Sequence, residues 1–348
     1  MITIKNLYKD WKEFSLTDIT IAVKKGEYFV VLGPTGAGKT LLLELIAGFY
    51  IPDRGDVEIA GQNVTDLPPE RRRIGFIYQD YSLFPHFTVR ENIEFGVKRR
   101  KYPDKHRKRT EELMDWLRIS HLAHRYPATL SGGEQQKVAI ARAIAIEPAV
   151  LLLDEPLSAL DLRTRDYLRE ELKRINGELD MTMVHVTHDQ TEAMVLAERI
   201  AVMMNGRIMQ TGTPYEIFNK PVNEEIADFV GVENILRGIV RDNDNGIAEI
   251  DVDMSCTIFA VSPYRAGNVK VFIRPEDIIL SEERGESSAR NVIRVTIDTM
   301  CDLGPLTRVR LDNSLVALIT KQSRESIGLR TGDSVYATFK ATSVHVAR

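Results

Sequence analysis

Two short strings in this 348-residue chain could do phosphate chemistry: Gly-Pro-Thr-Gly-Ala-Gly-Lys-Thr at 33–40 and Val-Leu-Leu-Leu-Asp-Glu-Pro at 150–156. In the first, Gly33, Gly36 and Gly38 let the backbone wrap closely around phosphates with its N–H groups pointing inward. Pro34, Thr35 and Ala37 complete the loop, so the whole segment is a candidate nucleotide contact. Lys39 brings a point charge to the β- and γ-phosphates, and Thr40 a hydroxyl ligand for Mg²⁺. In the second string Asp154 ends an apolar run, where its carboxylate can hold Mg²⁺, and Glu155 beside it can act as general base toward water. A phosphate loop alone implies a bound triphosphate and no particular use of it.

These residues need a scaffold that brings them to one edge. Residues 27–32 read as a strand running into the glycine loop, and 39–47 as a helix ended by Gly48. Further strands at 73–78, 149–153, 181–186 and 199–204 are apolar almost throughout, as in a parallel sheet buried on both faces. Ligands sit at the carboxyl ends of such strands, where Gly33, Gln79, Asp154 and His188 fall. Ser131, Gly132 and Gly133 precede a helical stretch at 134–146, a serine-capped helix start and a second anion site. The pattern over 1–230 is an α/β nucleotide-binding domain. Beyond 229–231 the helical periodicity gives way to strands at 235–240, 269–273, 291–298 and 335–340, a second, all-β domain over 231–348. Residues 242–246 read as a hairpin turn, and 281–287 as a polar loop joining two halves of that domain.

Composition sets limits. At 43% hydrophobic and 28% charged the chain is globular, and no apolar run reaches the ~18 residues of a membrane helix. Its start shows no basic-then-apolar leader, so a cytoplasmic location is expected. A net charge of −4 argues against bulk binding of nucleic acid. Cys256 and Cys301 lack histidines at metal-ligand spacing and read as ordinary buried thiols. The basic clusters Arg71-Arg72-Arg73 and 98–109 read as solvated loop and helix faces.

The string Leu-Ser-Gly-Gly-Glu-Gln at 130–135 resembles the signature of ATP-binding cassette (ABC) proteins, which binds the γ-phosphate of a nucleotide held by a partner subunit. The resemblance implies a phosphate-loop ATPase domain with a helical subdomain, ATP and Mg²⁺ as cofactors, and a head-to-tail homodimer. It carries over a Mg²⁺- and water-sensing glutamine to Gln79, an interface loop to residues 158–161 ending at Asp161, and a γ-phosphate histidine to His188. Adenine is expected on an upstream aromatic, Trp11 by spacing, with Tyr8 and Phe14 as competitors. About 90 residues separate Lys39 from Ser131, far too few for the coiled-coil arms of chromosome-maintenance relatives. Residues 80–88, rich in aromatics, suit the groove that receives a permease helix, or else part of the core.

Residues 271–277, Val-Phe-Ile-Arg-Pro-Glu-Asp, look like a recurring segment of the OB-like domains fused to importer ATPases. The segment 288–348, with Ser-Ala-Arg-Asn at its start and Lys-Ala-Thr-Ser at 340–343, resembles the molybdate-binding (MOP) domain of molybdate/tungstate importers. Ser288, Arg290, Lys340 and Thr342 are the implied oxyanion contacts, for a regulatory molybdate or tungstate. The expected function is ATP-driven uptake of that oxyanion through separate permease subunits on the cytoplasmic face of the membrane, fed by an extracytoplasmic binding protein, with no nucleic-acid partner. The same machine for sulfate, sugar, polyamine or iron is the alternative, and a soluble non-transport ABC ATPase a remoter one.

Overall fold

The computed structural model describes residues 1–97, 103–254 and 256–348, with side chains from 108 onward in the helix Pro103–Trp116. Residues 98–102 of the basic stretch at 98–109 therefore lie outside the described residues. Contacts divide the chain into two compact units, Met1–Pro214 and Tyr215–Arg348, whereas the change in sequence texture falls near residue 230.

In the first unit, near-continuous apolar strands build a six-stranded sheet in the order Arg207–Gly212, Arg199–Met204, Tyr28–Leu32, Thr182–Thr187, Val150–Asp154, Ile74–Ile77. All neighbours are parallel except the first pair. The sequence-predicted strands appear within one or two residues of their expected limits. A second, antiparallel sheet orders Ser15–Val23, Ile2–Asp10, Arg54–Ile59 and Gln62–Asn63. Its alternating inward residues, Ile2, Ile4, Leu16, Ile19 and Val57, share a core with Phe29, Val31, Leu152 and Val184 of the parallel sheet.

The helix Lys39–Ala47 contributes Leu42, Leu43, Leu45 and Ile46 to that core, all buried. Four such side chains are worth roughly 6–12 kcal/mol of transfer free energy before ordering costs. The helix stops at Gly48, whose φ of 90° is left-handed and whose Cβ would lie 2.4 Å from Arg72 Nε.

Arg72 corrects the reading of 71–73 as solvated. It is 2% exposed, and its guanidinium donates to Leu67 O (2.7 Å), Leu45 O (2.8 Å), Ile46 O (3.0 Å) and Thr65 O (2.8 Å). It caps the helix carbonyl end together with Gly48 N, which also donates to Leu45 O, at 3.2 Å. Arg71 and Arg73 are exposed as expected, whereas the two cysteines read as buried are not: Cys301 is exposed near the end of the long strand Asn291–Leu303 and Cys256 is half-buried.

The second unit pairs two five-stranded sheets: Cys256–Val261, Ile247–Val252, Asn234–Asp244, Gly267–Ile273, Val344–Ala347, and Ile279–Ser281, Ser334–Phe339, Asn291–Leu303, Leu306–Leu311, Val316–Thr320. The hairpin expected at 242–246 closes through Asn245 (φ 51°) and Gly246 (φ 86°), the two left-handed residues of a tight turn.

Chain order reveals a duplication. Each half makes a three-stranded meander, adds a fourth strand beside the first, passes a 3₁₀ turn (Pro275–Asp277 or Ala341–Ser343), and sends its last strand into the other half's sheet. Two buried asparagines repeat the logic. Asn234, opening the first half, bonds both ways with the Val316 backbone, and Asn291, opening the second, both ways with that of Phe259.

Replacing Arg72 with Met should lower unfolding stability by about 2–4 kcal/mol, because several buried carbonyls lose their donors at once. Urea unfolding measures it, and an unchanged midpoint would remove Arg72 from the capping role.

Candidate active site

Four adjacent strands of the parallel sheet end at one edge, and the predicted residues follow them there. Gly33 comes directly after Tyr28–Leu32, Asp154 ends Val150–Asp154, His188 follows Thr182–Thr187 and Gln79 follows Ile74–Ile77. A Cβ on Gly33 would lie 2.1 Å from Met203 O, and one on Gly38 (φ 95°) would lie 2.7 Å from the Phe14 ring. Glycine is demanded by contact at both positions. Ala37 is buried, takes a backbone bond to Pro34 O (3.2 Å), and locks the loop to Gly206 N (3.1 Å).

Lys39 is 5% exposed, and its ammonium donates to Gly33 O and Pro34 O, each at 2.9 Å, with Glu155 Oε1 at 3.8 Å. Burial lowers its pKa, and the charges of Glu155 and Asp154 work against that shift. Thr40 Oγ1 donates to Asp154 Oδ1 at 2.9 Å. Burial raises the Asp154 pKa even though Thr40 and Lys39 favour its charged form. Glu155 occupies the left-handed region (φ 41°), its N–H bonded to Val186 O at 3.0 Å. That turn aims its carboxylate at His188, with Oε1 3.0 Å from Nδ1.

A cavity of about 500 Å³ opens onto Thr35, Gly36, Gly38, Lys39 and Thr40, with Gln79, Glu155 and His188 opposite and Phe14 and Leu41 flanking. Among the three aromatic candidates, Phe14 alone lines it. Trp11 packs edge-on against Tyr50 at 5.5 Å, and Tyr8 lies under the Arg54 guanidinium at 5.9 Å. Leu41 was invisible to sequence reasoning, since a leucine in a helical pattern carries no chemical signal.

The signature residues stand apart from this cavity. Ser131 caps the helix Gly132–Ala145 through a reciprocal box: Glu134 N donates to Ser131 Oγ, and Ser131 N to Glu134 Oε2 at 2.8 Å. A Cβ on Gly132 would lie 3.1 Å from Leu160, and one on Gly133 2.8 Å from Thr164. Asp161 caps the neighbouring helix Leu162–Leu179 by accepting from Thr164 N at 3.1 Å. The 80–88 segment is held from below by Arg142, which bonds Tyr81 O and Ser82 O and stacks on Phe84. Phe84, His86, Phe87 and Phe95 cluster there, half-buried or exposed.

In the second unit the four oxyanion candidates do not converge within one chain. Ser288 and Lys340 line a cavity of about 410 Å³ that also holds Glu276 and Asp277. Thr342 lines a different one, about 400 Å³, with Arg274 and His345. Arg290 reaches over Phe259 at 5.9 Å, directed there because its neighbour Asn291 is bonded to the Phe259 backbone. Burial, then the nearby Glu276 charge, raises the Asp277 pKa.

Fold and strand-end chemistry define a phosphate-loop ATPase. The ABC transporter model matches residues 16–158 and the TOBE domain model residues 287–346. Over 350 residues the chain is 43% identical to the molybdate/tungstate import ATP-binding protein of Pyrococcus horikoshii, covering 99% of each. It is 41% identical to the sulfate/thiosulfate import ATP-binding protein of Nocardia farcinica, covering 97% of each. A solved dimeric bacterial ABC transporter cassette is 33% identical with a TM-score of 0.56, covering 62% of this chain and 99% of its own. The chain belongs to the ABC transporter family, as an ATP-binding ATPase with a C-terminal TOBE domain.

Asp154→Asn should raise the melting temperature of the nucleotide-free protein near pH 7. A folded-state carboxyl with a raised pKa opposes folding once it ionises, so stability falls as pH rises through that raised pKa. The asparagine oxygen still accepts from Thr40. A gain of ~2–4 °C is expected, shrinking as pH falls toward the unfolded carboxyl pKa, and calorimetry across that range decides it.

Proposed function

We propose that this chain powers import of molybdate or tungstate as a homodimeric ATPase docked on membrane permease subunits at the cytoplasmic face. The observation that carries the reading is the separation just described: loop, base and histidine share one cavity, while the serine-capped signature helix begins elsewhere on the same chain. ATP on one loop gains the Ser131-capped helix start, with the N–H donors of Gly132 and Gly133, only from a second copy, with Asp161 at the crossing. A ligand held by both copies favours the closed dimer, so ATP binding acts as an association switch.

Lys39 exchanges its neutral carbonyl partners for charged phosphate oxygens, a stronger class of bond. The Thr40 hydroxyl and Asp154 carboxylate, with Gln79 near them, form the hard oxygen set that suits Mg²⁺, which when bound neutralises phosphate charge. Glu155 takes the proton of the attacking water, and His188 orients that carboxylate and faces the γ-phosphate. Phe14, rather than Trp11, is assigned to adenine, because Phe14 lines the cavity. The aromatic cluster at 84–95 is assigned to the permease.

Full-length identity to the Pyrococcus protein supports the molybdate/tungstate reading, and an extracytoplasmic binding protein would deliver the oxyanion. Ser288 and Lys340 begin a regulatory pocket, which Arg290 and Thr342 of paired second units would complete.

Glu155→Gln should retain ATP, lose steady turnover and accumulate as an ATP-bound dimer, because an amide cannot accept the proton. Phosphate release and light scattering test this, and near-normal hydrolysis would remove Glu155 from the base role. Ser131→Arg should abolish the dimer by filling the anion site.

Molybdate or tungstate on the cytoplasmic side should slow ATP turnover of the assembled transporter several-fold, for a coupling of ~1–3 kcal/mol. Sulfate should act more weakly, and Lys340→Ala or Arg290→Ala should abolish the effect. Equal inhibition by sulfate would move the assignment to that solute, and none by any oxyanion would leave the second unit a structural module.

A further inference from the structure

The strand Thr182–Thr187 lies between the phosphate-loop strand and the Asp154 strand, and its last two carbonyls serve both. Val186 O accepts from Glu155 N at 3.0 Å, and Thr187 O from Gly33 N at 3.3 Å. His188 follows at once, on a two-residue turn into the short helix Gln190–Leu196. An exposed histidine on such a turn keeps its place only if the residues on either side are fixed.

Both are fixed by one buried acid. Glu192 is 2% exposed, and its Oε2 accepts from the Thr187 hydroxyl at 2.8 Å. That hydroxyl in turn accepts from Asp189 N at 3.0 Å, and Asp189 Oδ1 accepts from Glu192 N at 2.9 Å. The residues before and after His188 are thus closed into a ring through Glu192. Behind the ring, His185 is fully buried, with Nε2 3.4 Å from Glu192 Oε2 and Nδ1 3.0 Å from the Tyr28 hydroxyl. On the outer side, Arg165 and Arg169 approach Asp189 Oδ2 at 3.4 and 3.5 Å, and Arg165 also bonds Leu160 O, next to Asp161.

Burial works to raise the Glu192 pKa, yet the His185 and Thr187 contacts hold it below the ordinary carboxylate range. Taking a carboxylate out of water is costly, and an apolar side chain would pack there without that cost. What the acid adds is a set of bonds that end beside His188.

We infer that Glu192 is a positioning residue for His188, acting through the Thr187 and Asp189 ring, with His185 and Tyr28 as its buried support. The inference rests on the role proposed above for His188. Glu192 does not line the nucleotide cavity, so its loss acts on turnover and leaves ATP affinity in place.

The test is a double-mutant cycle on steady-state ATP turnover by the full chain: Glu192→Ala, His188→Ala, and both. Glu192→Ala should lower kcat about tenfold with ATP affinity within about twofold, and in the His188→Ala background it should cost less than about twofold, as for residues acting through one network. Glu192→Gln, an isosteric change that still accepts from Thr187, should fall between wild type and Glu192→Ala while keeping its melting temperature. It guards against a simple folding failure. A slow His188→Ala protein beside Glu192 variants at the wild-type rate would overturn this inference alone. Additive losses in the double variant would make Glu192 merely structural. A His188→Ala protein at the wild-type rate would overturn the role of His188, and this inference with it.

Discussion

The free N–H groups at a helix N-terminus must be met by a cap, or the helix must be held by its packing instead. Lys39–Ala47 meets this constraint: Gly38 at its head makes no side-chain cap, and the helix is held instead by its flanks and its tail. The flanks are Leu42, Leu43, Leu45 and Ile46, packed between the two sheets, and the tail is closed by Gly48 and Arg72. The antiparallel sheet, whose turn between Ile2–Asp10 and Ser15–Val23 carries Phe14 to the cavity, is the second wall of that packing.

The signature helix answers the same constraint differently. Ser131 and Glu134 cap Gly132–Ala145 reciprocally, so this helix start is ordered before any ligand arrives. A charge-bearing ligand competes there with bonds worth about 1 kcal/mol. One helix start is thus open at its head and the other closed on itself.

What the sequence disclosed follows the range of the interactions concerned. Lys39, Thr40, Asp154 and Glu155 were legible because strand, turn and side chain lie within a few residues, and the local chain dictates their geometry. Which upstream ring lines the cavity was not, since three residues of spacing in the turn between two strands cannot tell that Phe14 and not Trp11 faces it. Arg72 was misread because a run of arginines looks solvated, and its carbonyl partners come from 65–67 and from the helix end at 45–46. Glu192 and His185 were passed over because a helical acid and a strand histidine give no warning of burial. The four residues read as an oxyanion pocket were grouped by motif, yet the chain directs Arg290 toward Phe259 and Thr342 into another cavity. The duplication escaped notice because 274–277 and 340–343 share a place in the fold and almost no side-chain chemistry.

The exchange of last strands has a consequence for how the protein is made. Val344–Ala347 is the edge partner of Gly267–Ile273, which is synthesised some seventy residues earlier. Until that strand leaves the ribosome the earlier strand keeps an unpaired edge, open to other chains. The second unit therefore closes only once both halves have been made, through contacts of long sequence separation that form slowly. During that interval the nascent chain is most exposed to aggregation, and the four residues Val344–Ala347 decide when it ends.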